Sequence, residues 1–333
     1  MARGRRLALV GLVLTAALGA INSSWLCGAP GRRPLLLAHR GLAQTFPIAG
    51  LSGDADTSKM IYPPEHPFIE NTLASMEAAF AAGADVVELD VQRTADGRFA
   101  VFHDATLEFR SDGRGPVRAH TLESLQRLDV GFGYSPDGGK TFPFRGKGVG
   151  LMPSFDEVLA RFPEREFLID MKTGDAEDGA ALAALLAPLP RAQVERLGAY
   201  GSKGAMAALS AALPSFRVMS RSSLMRAALT YVALGWTGYV PAACRDTEFR
   251  IPLRFAPLLW GWPHRFVARM DSVNTRVMLV AGDGTWSEGF DTPESLQAIP
   301  EGYAGVIWTN RIDRIGPVIA PHSQAMSQPE RQP

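Results

Sequence analysis

Short apolar runs, each ending in polar residues and most followed by a helix-patterned stretch, recur along this chain from Leu35 to Asn310. They read LLLA (35–38), VVELDV (86–91), FLIDM (167–171), LGAYG (197–201), FRVMS (216–220), TRVMLVAG (275–282) and AGVIWTN (304–310), with GYVPAAC (238–244) a strand or a loop. A strand that is apolar on both faces needs cover on both, and helices laid against a parallel sheet provide it. The spacing predicts helices opening after Thr72 and Ser154 and others over 180–189, 203–213, 224–234, 263–270 and 293–299. Strand–helix alternation with a strand count close to eight sets the class as α/β with a parallel sheet.

The polar residues at the strand ends carry the chemistry. Glu88 and Asp90 lie two apart on one strand, so both carboxylates point the same way. Their neighbours Val86, Val87, Leu89 and Val91 imply burial, and a buried carboxylate pair is costly unless a positive group holds it. Hard oxygen donors suit Mg²⁺ or Ca²⁺. Glu-x-Asp by itself also occurs on solvated faces, so its meaning depends on company. Asp170 and Lys172 repeat the two-residue spacing on another strand, adding a third carboxylate and an ammonium able to meet a phosphate. The strand 35–38 ends in His39-Arg40-Gly41, and the strand 99–102 ends in His103-Asp104. In α/β barrels the carboxyl ends of the strands are where active sites are built.

Composition removes other classes. Lys and Arg number 34 and Asp and Glu number 34, which leaves no basic excess for nucleic acid. Two cysteines, Cys27 and Cys244, make no disulfide framework and no thiolate metal site. The glycine-rich stretch 131–153 lacks the strand-to-helix spacing of a nucleotide loop. The N-terminus has its own identity: Arg3, Arg5 and Arg6 precede an uncharged run from Leu7 to Ile21. This reads as a secretory signal or a membrane anchor covering residues 1–33, with the remainder exported. Its apolar part is short for a span of roughly twenty residues. One domain over 34–320 and a flexible tail over 321–333 complete the expected organisation. The stretch from Leu42 to Ile69 is a long, polar, proline-rich insertion, expected as a lid or binding loop. The run LLWGW (258–262) is expected to pack in the core, a membrane-facing patch being the other reading.

These residues, in this order, resemble the glycerophosphodiester phosphodiesterase family. The pattern is His39-Arg40-Gly41, Glu70-Asn71-Thr72, Glu88-Leu89-Asp90, Thr94-Ala95-Asp96-Gly97, His103-Asp104 and Asp170-Met171-Lys172, with Leu107, Arg110, Gly113 and Gly115 fitting between. The resemblance runs from about residue 35 to 172, and AGVIWTN is similar to the family's last strand. It implies a TIM (β/α)8 barrel of the phospholipase C-like phosphodiesterase type, with a long insertion after the first strand. It implies a Ca²⁺ or Mg²⁺ ion on Glu88, Asp90 and Asp170, and catalytic His39 and His103. Arg40 and Lys172 would meet the phosphate, with Glu70 and Asn71 supporting. Three departures stand out: Asp170 where most members carry Glu, the long insertion, and no Trp-Thr pair on the TRVMLVAG strand. The implied activity is metal-dependent hydrolysis of glycerophosphodiesters to sn-glycerol 3-phosphate and an alcohol. A lysophospholipase D-like headgroup diesterase is the alternative within enzymes. A membrane-tethered, non-catalytic headgroup binder is the alternative outside them, and the complete His, carboxylate and Lys set argues against it. Two imidazoles fit acid and base roles because their ordinary pKa lies near neutrality.

Overall fold

The computed structural model describes residues 2–24, 26, 28, 31–48, 50–51, 55–282 and 288–319. Cys27 and the tail from 321 lie outside them. The strands are β1 (Leu35–His39), β2 (Val86–Arg93), β3 (Phe99–Val101), β4 (Glu166–Met171), β5 (Leu197–Gly201), β6 (Arg217–Ser220), β7 (Glu248–Pro252), β8 (Arg276–Val280) and β9 (Val306–Thr309). All but β3 run parallel, in the order β6-β5-β4-β2-β1-β9-β8-β7, while β3 folds back antiparallel on β2. The eight parallel strands make a nearly closed TIM-type barrel. The seam lies between β6 and β7, which are linked near their starts by Val218 N–H donating to Asp246 O at 3.2 Å.

Alternation along each strand sorts the side chains. Val86, Leu37 and Leu168 join Met278, Val306 and Trp308 in one buried cluster inside the barrel. Val87, Leu89, Val91 and Ile169 pack outward with the surrounding helices. Glu88 and Asp90 share the face of Val86 and therefore point inward, as the period-two reading requires.

Helix starts follow the expected chemistry. Thr72 caps Leu73–Ala81 and Ser154 caps Phe155–Arg161, each in a reciprocal capping box that satisfies exposed N–H groups. The insertion after β1 is built into the molecule: Ile61 and Ile69 share a second core with Phe102, Leu107, Val130 and Tyr134. Gln44 Nε2 ties its two ends by donating to His66 O and Phe68 O at 3.1 and 2.9 Å.

The structure corrects some of these expectations and refines others. GYVPAAC holds only a 3-10 turn, Ala242–Cys244, and the strand at that place is Glu248–Pro252. Its charged Glu248 and Arg250 hid it from an apolar reading. The stretch 293–299 forms a 3-10 turn, Ser295–Ala298, and no α-helix. LLWGW divides: Leu259 is buried, whereas Leu258 and Trp260 are exposed. Cys244 is buried and free. Residues 2–22 form a helix, yet among the described residues no helix is long and apolar enough to cross a membrane.

Candidate active site

Strand register assembles the site at the carboxyl ends. His39 pairs laterally with Glu88, and Asp90 pairs with Asp170, which in turn pairs with Tyr200. Carboxylates separated by 82 and 80 residues in sequence thus become neighbours. One oxygen each from Glu88, Asp90 and Asp170 lies within 4.8 Å of the others. Asp170 therefore reaches the group despite being one methylene shorter than Glu. A cavity of about 920 Å³ opens above them, lined by His39, Arg40, His103, Asp170, Lys172 and Tyr200 among others.

Two cations sit against the carboxylates. Lys172 Nζ lies 2.9 Å from Asp90 and 2.5 Å from Asp170. Arg40 Nε is 3.3 Å from Asp90, and its Nη1 donates to Glu70 at 3.0 Å. Arg40 holds this position from a left-handed backbone, φ 58°, an uncommon conformation that clusters at functional sites. Gly41 follows at φ 78°, where a Cβ would come within 2.6 Å of Ser75 Oγ, so only glycine fits the turn. Asn71, also left-handed at φ 60°, donates through Nδ2 to Asp90 at 2.7 Å and accepts the Asp90 N–H at 3.2 Å. Glu70 lies between Arg40 and Arg110, and so supports the cations rather than joining the three converging carboxylates.

The electrostatics favour a bound cation. Among the described residues, Glu70, Glu88, Asp90, Asp104 and Asp170 face the cations Arg40, Arg110 and Lys172 in one connected network, leaving an excess of negative charge. Burial, with Asp90 and Asp170 beside it, pushes the Glu88 carboxyl up to about 8. Burial also acts to raise Asp90, but Lys172 and Arg40 outweigh it and hold Asp90 well below the usual carboxylate range. Asp90 Oδ1 is buried and makes no hydrogen bond, its Lys172 contact being ionic only. Three oxygen donors, one of them without a hydrogen-bond partner, fit a hard divalent cation in charge and chemistry.

The two imidazoles are oriented differently. His39 Nδ1 meets Asn310 Oδ1 at 2.6 Å, and Asn310 Nδ2 donates to Asp291 at 3.0 Å. With its NH₂ engaged there, Asn310 turns its oxygen to His39, which assigns the proton to Nδ1. His39 Nε2 is then left facing Glu88 at 3.8 Å. Burial, and next the charge of Arg40, lower His39 well below the ordinary histidine value. His103 Nδ1 meets Asp104 at 2.7 Å, and Arg110 grips that carboxylate at 2.5 Å. Burial, Arg40 and Lys172 lower His103 too, with Asp90 and its Asp104 bond working the other way.

Sequence reasoning missed three contributors. Tyr200 donates its hydroxyl to Glu88 at 2.6 Å, and Asp291 and Asn310 orient His39. Tyr200 and Asn310 carry the same signal that marked His39, a polar residue at the end of an apolar strand. Asp291 carries none.

Comparison with known proteins converges on one family. The sequence profile of the Glycerophosphoryl diester phosphodiesterase family matches residues 39–247. A glycerophosphodiester phosphodiesterase of Caldanaerobacter subterraneus is 31% identical over 140 residues, 42% of this chain and 45% of that protein. One of Bacillus subtilis is 37% identical over 122 residues, 35% of this chain and 39% of that protein. The chain thus spans less than half the length of these curated relatives. Among solved structures, the glycerophosphoryl diester phosphodiesterase domain of a Mycobacterium tuberculosis protein superposes with TM-score 0.60 at 19% identity, covering 86% of this chain and 98% of that one. An Oleispira antarctica phosphodiesterase in complex with the product sn-glycerol-3-phosphate gives 0.52 at 18%, covering 87% and 96%. At these identities the superpositions speak for the fold.

Proposed function

The chain belongs to the glycerophosphoryl diester phosphodiesterase family, and from that premise we propose that it is a phosphoric diester hydrolase acting on glycerophosphodiesters. The products are sn-glycerol 3-phosphate and an alcohol. The observation that carries the reading is the convergence of Glu88, Asp90 and Asp170 beneath two inward-facing imidazoles. Those three carboxylates would hold a Ca²⁺ or Mg²⁺ ion, which when bound supplies charge neutralisation to the phosphodiester.

The chain's own residues do the rest. Arg40 and Lys172 line the cavity as cations and bind the anionic phosphate. His39 has a neutral amide behind it and is held in its uncharged form, so its Nε2 accepts a proton from the water that attacks phosphorus. His103 has the Asp104 carboxylate behind it, which supports an imidazolium able to protonate the departing alkoxide. Asn310 and Asp104 fix which ring nitrogen carries the proton in each case. An oxygen-lined floor with a histidine on each wall is the arrangement an anion with a poor leaving group requires.

A second reading has its own support. Phe46, Ile48, Tyr62, Pro63 and Pro64 of the insertion give the cavity an apolar wall, which suits the acyl part of a lysophospholipid. The deciding experiment is a panel of soluble glycerophosphodiesters and micellar lysolipids, assayed with Ca²⁺, with Mg²⁺ and with chelator. Turnover that survives the chelator overturns the metal role, and no turnover of any diester overturns the activity. We further infer from Arg3, Arg5, Arg6 and the uncharged run to Ile21 that the catalytic domain works outside the cytoplasm, secreted or held at the membrane by this segment. N-terminal sequencing of the mature protein separates those two outcomes.

A further inference from the structure

The helix Arg221–Leu234 buries Ala227 and Tyr231 against the barrel. Its outward stripe should be polar in a barrel surrounded by water. Instead Met225, Leu229 and Val232 are exposed, Leu229 by 62%, and Trp236 just beyond the helix continues the stripe. The helical spacing i, i+4, i+7 puts the three on one face. A second exposed set, Phe255, Leu258 and Trp260, adjoins it: Trp260 Nε1 donates to Val232 O at 2.8 Å. Trp236 Nε1 likewise donates to Ala233 O at 3.0 Å. Both indole N–H groups are already satisfied by the protein, so the rings can leave water without an unpaired donor.

Charge and chain path say what covers this face. From Arg221 to Arg245 the sequence holds three arginines, Arg221, Arg226 and Arg245, all exposed, and no acidic residue. From Leu253 to Met270 it again holds arginines, Arg254 among them exposed, and no acidic residue, in a chain whose total charge is zero. The N-terminal helix joins the molecule at the same place. Asn22 Nδ2 donates to Trp236 O at 2.7 Å, Arg269 Nη2 donates to Ile21 O at 2.9 Å, and Ser24 Oγ donates to Gly261 O at 2.6 Å. That helix itself exposes Leu9, Leu12 and Val13.

We infer that this face, formed by Met225, Leu229, Val232, Trp236, Leu258 and Trp260, docks peripherally on an anionic phospholipid surface. Aromatic rings and aliphatic side chains enter the headgroup boundary, and the exposed arginines of these two acid-free stretches, Arg221, Arg226, Arg245 and Arg254, meet the lipid charge. This contact is separate from any insertion of residues 7–21 and independent of turnover in the cavity.

The test reconstitutes the full chain with phosphatidylcholine–phosphatidylglycerol vesicles whose acyl chains are brominated, and reads tryptophan quenching. The wild type should be quenched, and a Trp236→Phe, Trp260→Phe variant should lose most of the quenchable emission. Leu229→Glu with Leu258→Glu should remove the quenching of Trp236 and Trp260 while turnover of a soluble glycerophosphodiester stays unchanged. Quenching that is the same with and without Trp236 and Trp260, or that survives the two glutamates, overturns the inference. So does a concentration-dependent dimer that the glutamates abolish while bromine has no effect, which would make the occupant a second copy. Because the quenching needs no substrate, its failure is distinguishable from failure of the proposed activity.

Discussion

The barrel has a buried charge cluster at each end, and the two are built on opposite plans. At the amino ends of the strands, Glu248 is fully buried and receives Arg276 Nη2 at 2.8 Å and Arg217 Nε at 3.1 Å. Glu166 takes the other arm of Arg276 at 2.8 Å. Two acids meet two bases, and Gly198 leaves space for the Glu248 carboxylate, since a Cβ there would lie 2.2 Å from its Oε1. At the carboxyl ends, five carboxylates meet three cations, and Glu88 is held by burial and like charges at a raised pKa. The balanced cluster closes the barrel floor. The unbalanced one leaves an excess of negative charge that a bound cation would relieve. Conserving the sum of charges separates a structural ion cluster from a site.

Four outcomes test that contrast, the largest first. His39→Ala and His103→Ala should each lower turnover by about 10²- to 10⁴-fold, with thermal unfolding close to wild type; activity within threefold removes that histidine from the chemistry. Glu248→Gln should do the reverse, costing about 3–5 kcal/mol of stability by stranding the Arg276 and Arg217 charges while turnover of the folded protein persists. Denaturant titration alongside the assay reads both, and a turnover loss without a stability loss would erase the distinction between the two ends. Cation affinity should climb as pH rises from 6.5 toward 8.5, about tenfold per unit below the Glu88 pKa of about 8, because binding must expel the proton that burial, Asp90 and Asp170 keep there. Calorimetry in buffers of different ionisation enthalpy counts that proton, and a pH-independent affinity would mean that Glu88 is already ionised. The smallest effect belongs to Asn310→Ala. It should lower kcat less than His39→Ala does and shift the acid limb of the pH–rate profile, since the bond holding the His39 proton on Nδ1 is lost. An unchanged pH profile would leave Asn310 with packing alone.

Legibility followed burial and sequence distance. β1, β2 and β4 were readable because their apolar residues admit no solvated face, so the polar residues among them demanded a reason. β7 was not, because Glu248 is buried by ion pairing rather than by apolarity, and a reading based on hydrophobicity takes a charge for a surface position. The three converging carboxylates were legible as types, but only the lateral register of parallel strands makes Asp90 and Asp170 adjacent. Tyr200 and Asn310 stand at strand ends as His39 does, but they lie 112 and 271 residues from the groups they bond, so no local pattern names their partners. The short helix expected over 293–299 failed for a local reason: four residues between Glu294 and Ile299 close only a 3-10 turn.

The pairing of β1 with β9 joins the first strand of the barrel to the last, and Asn310 follows immediately after β9. During synthesis, His39 is among the earliest residues of the domain to be made, yet its orienting amide is among the latest. A nascent or truncated chain that stops at residue 247, where the family match ends, carries both imidazoles and all three converging acids but neither the strand that flanks His39 nor the group that sets its tautomer. Such a fragment should therefore be inert on glycerophosphodiesters, although it spans the whole of the family match.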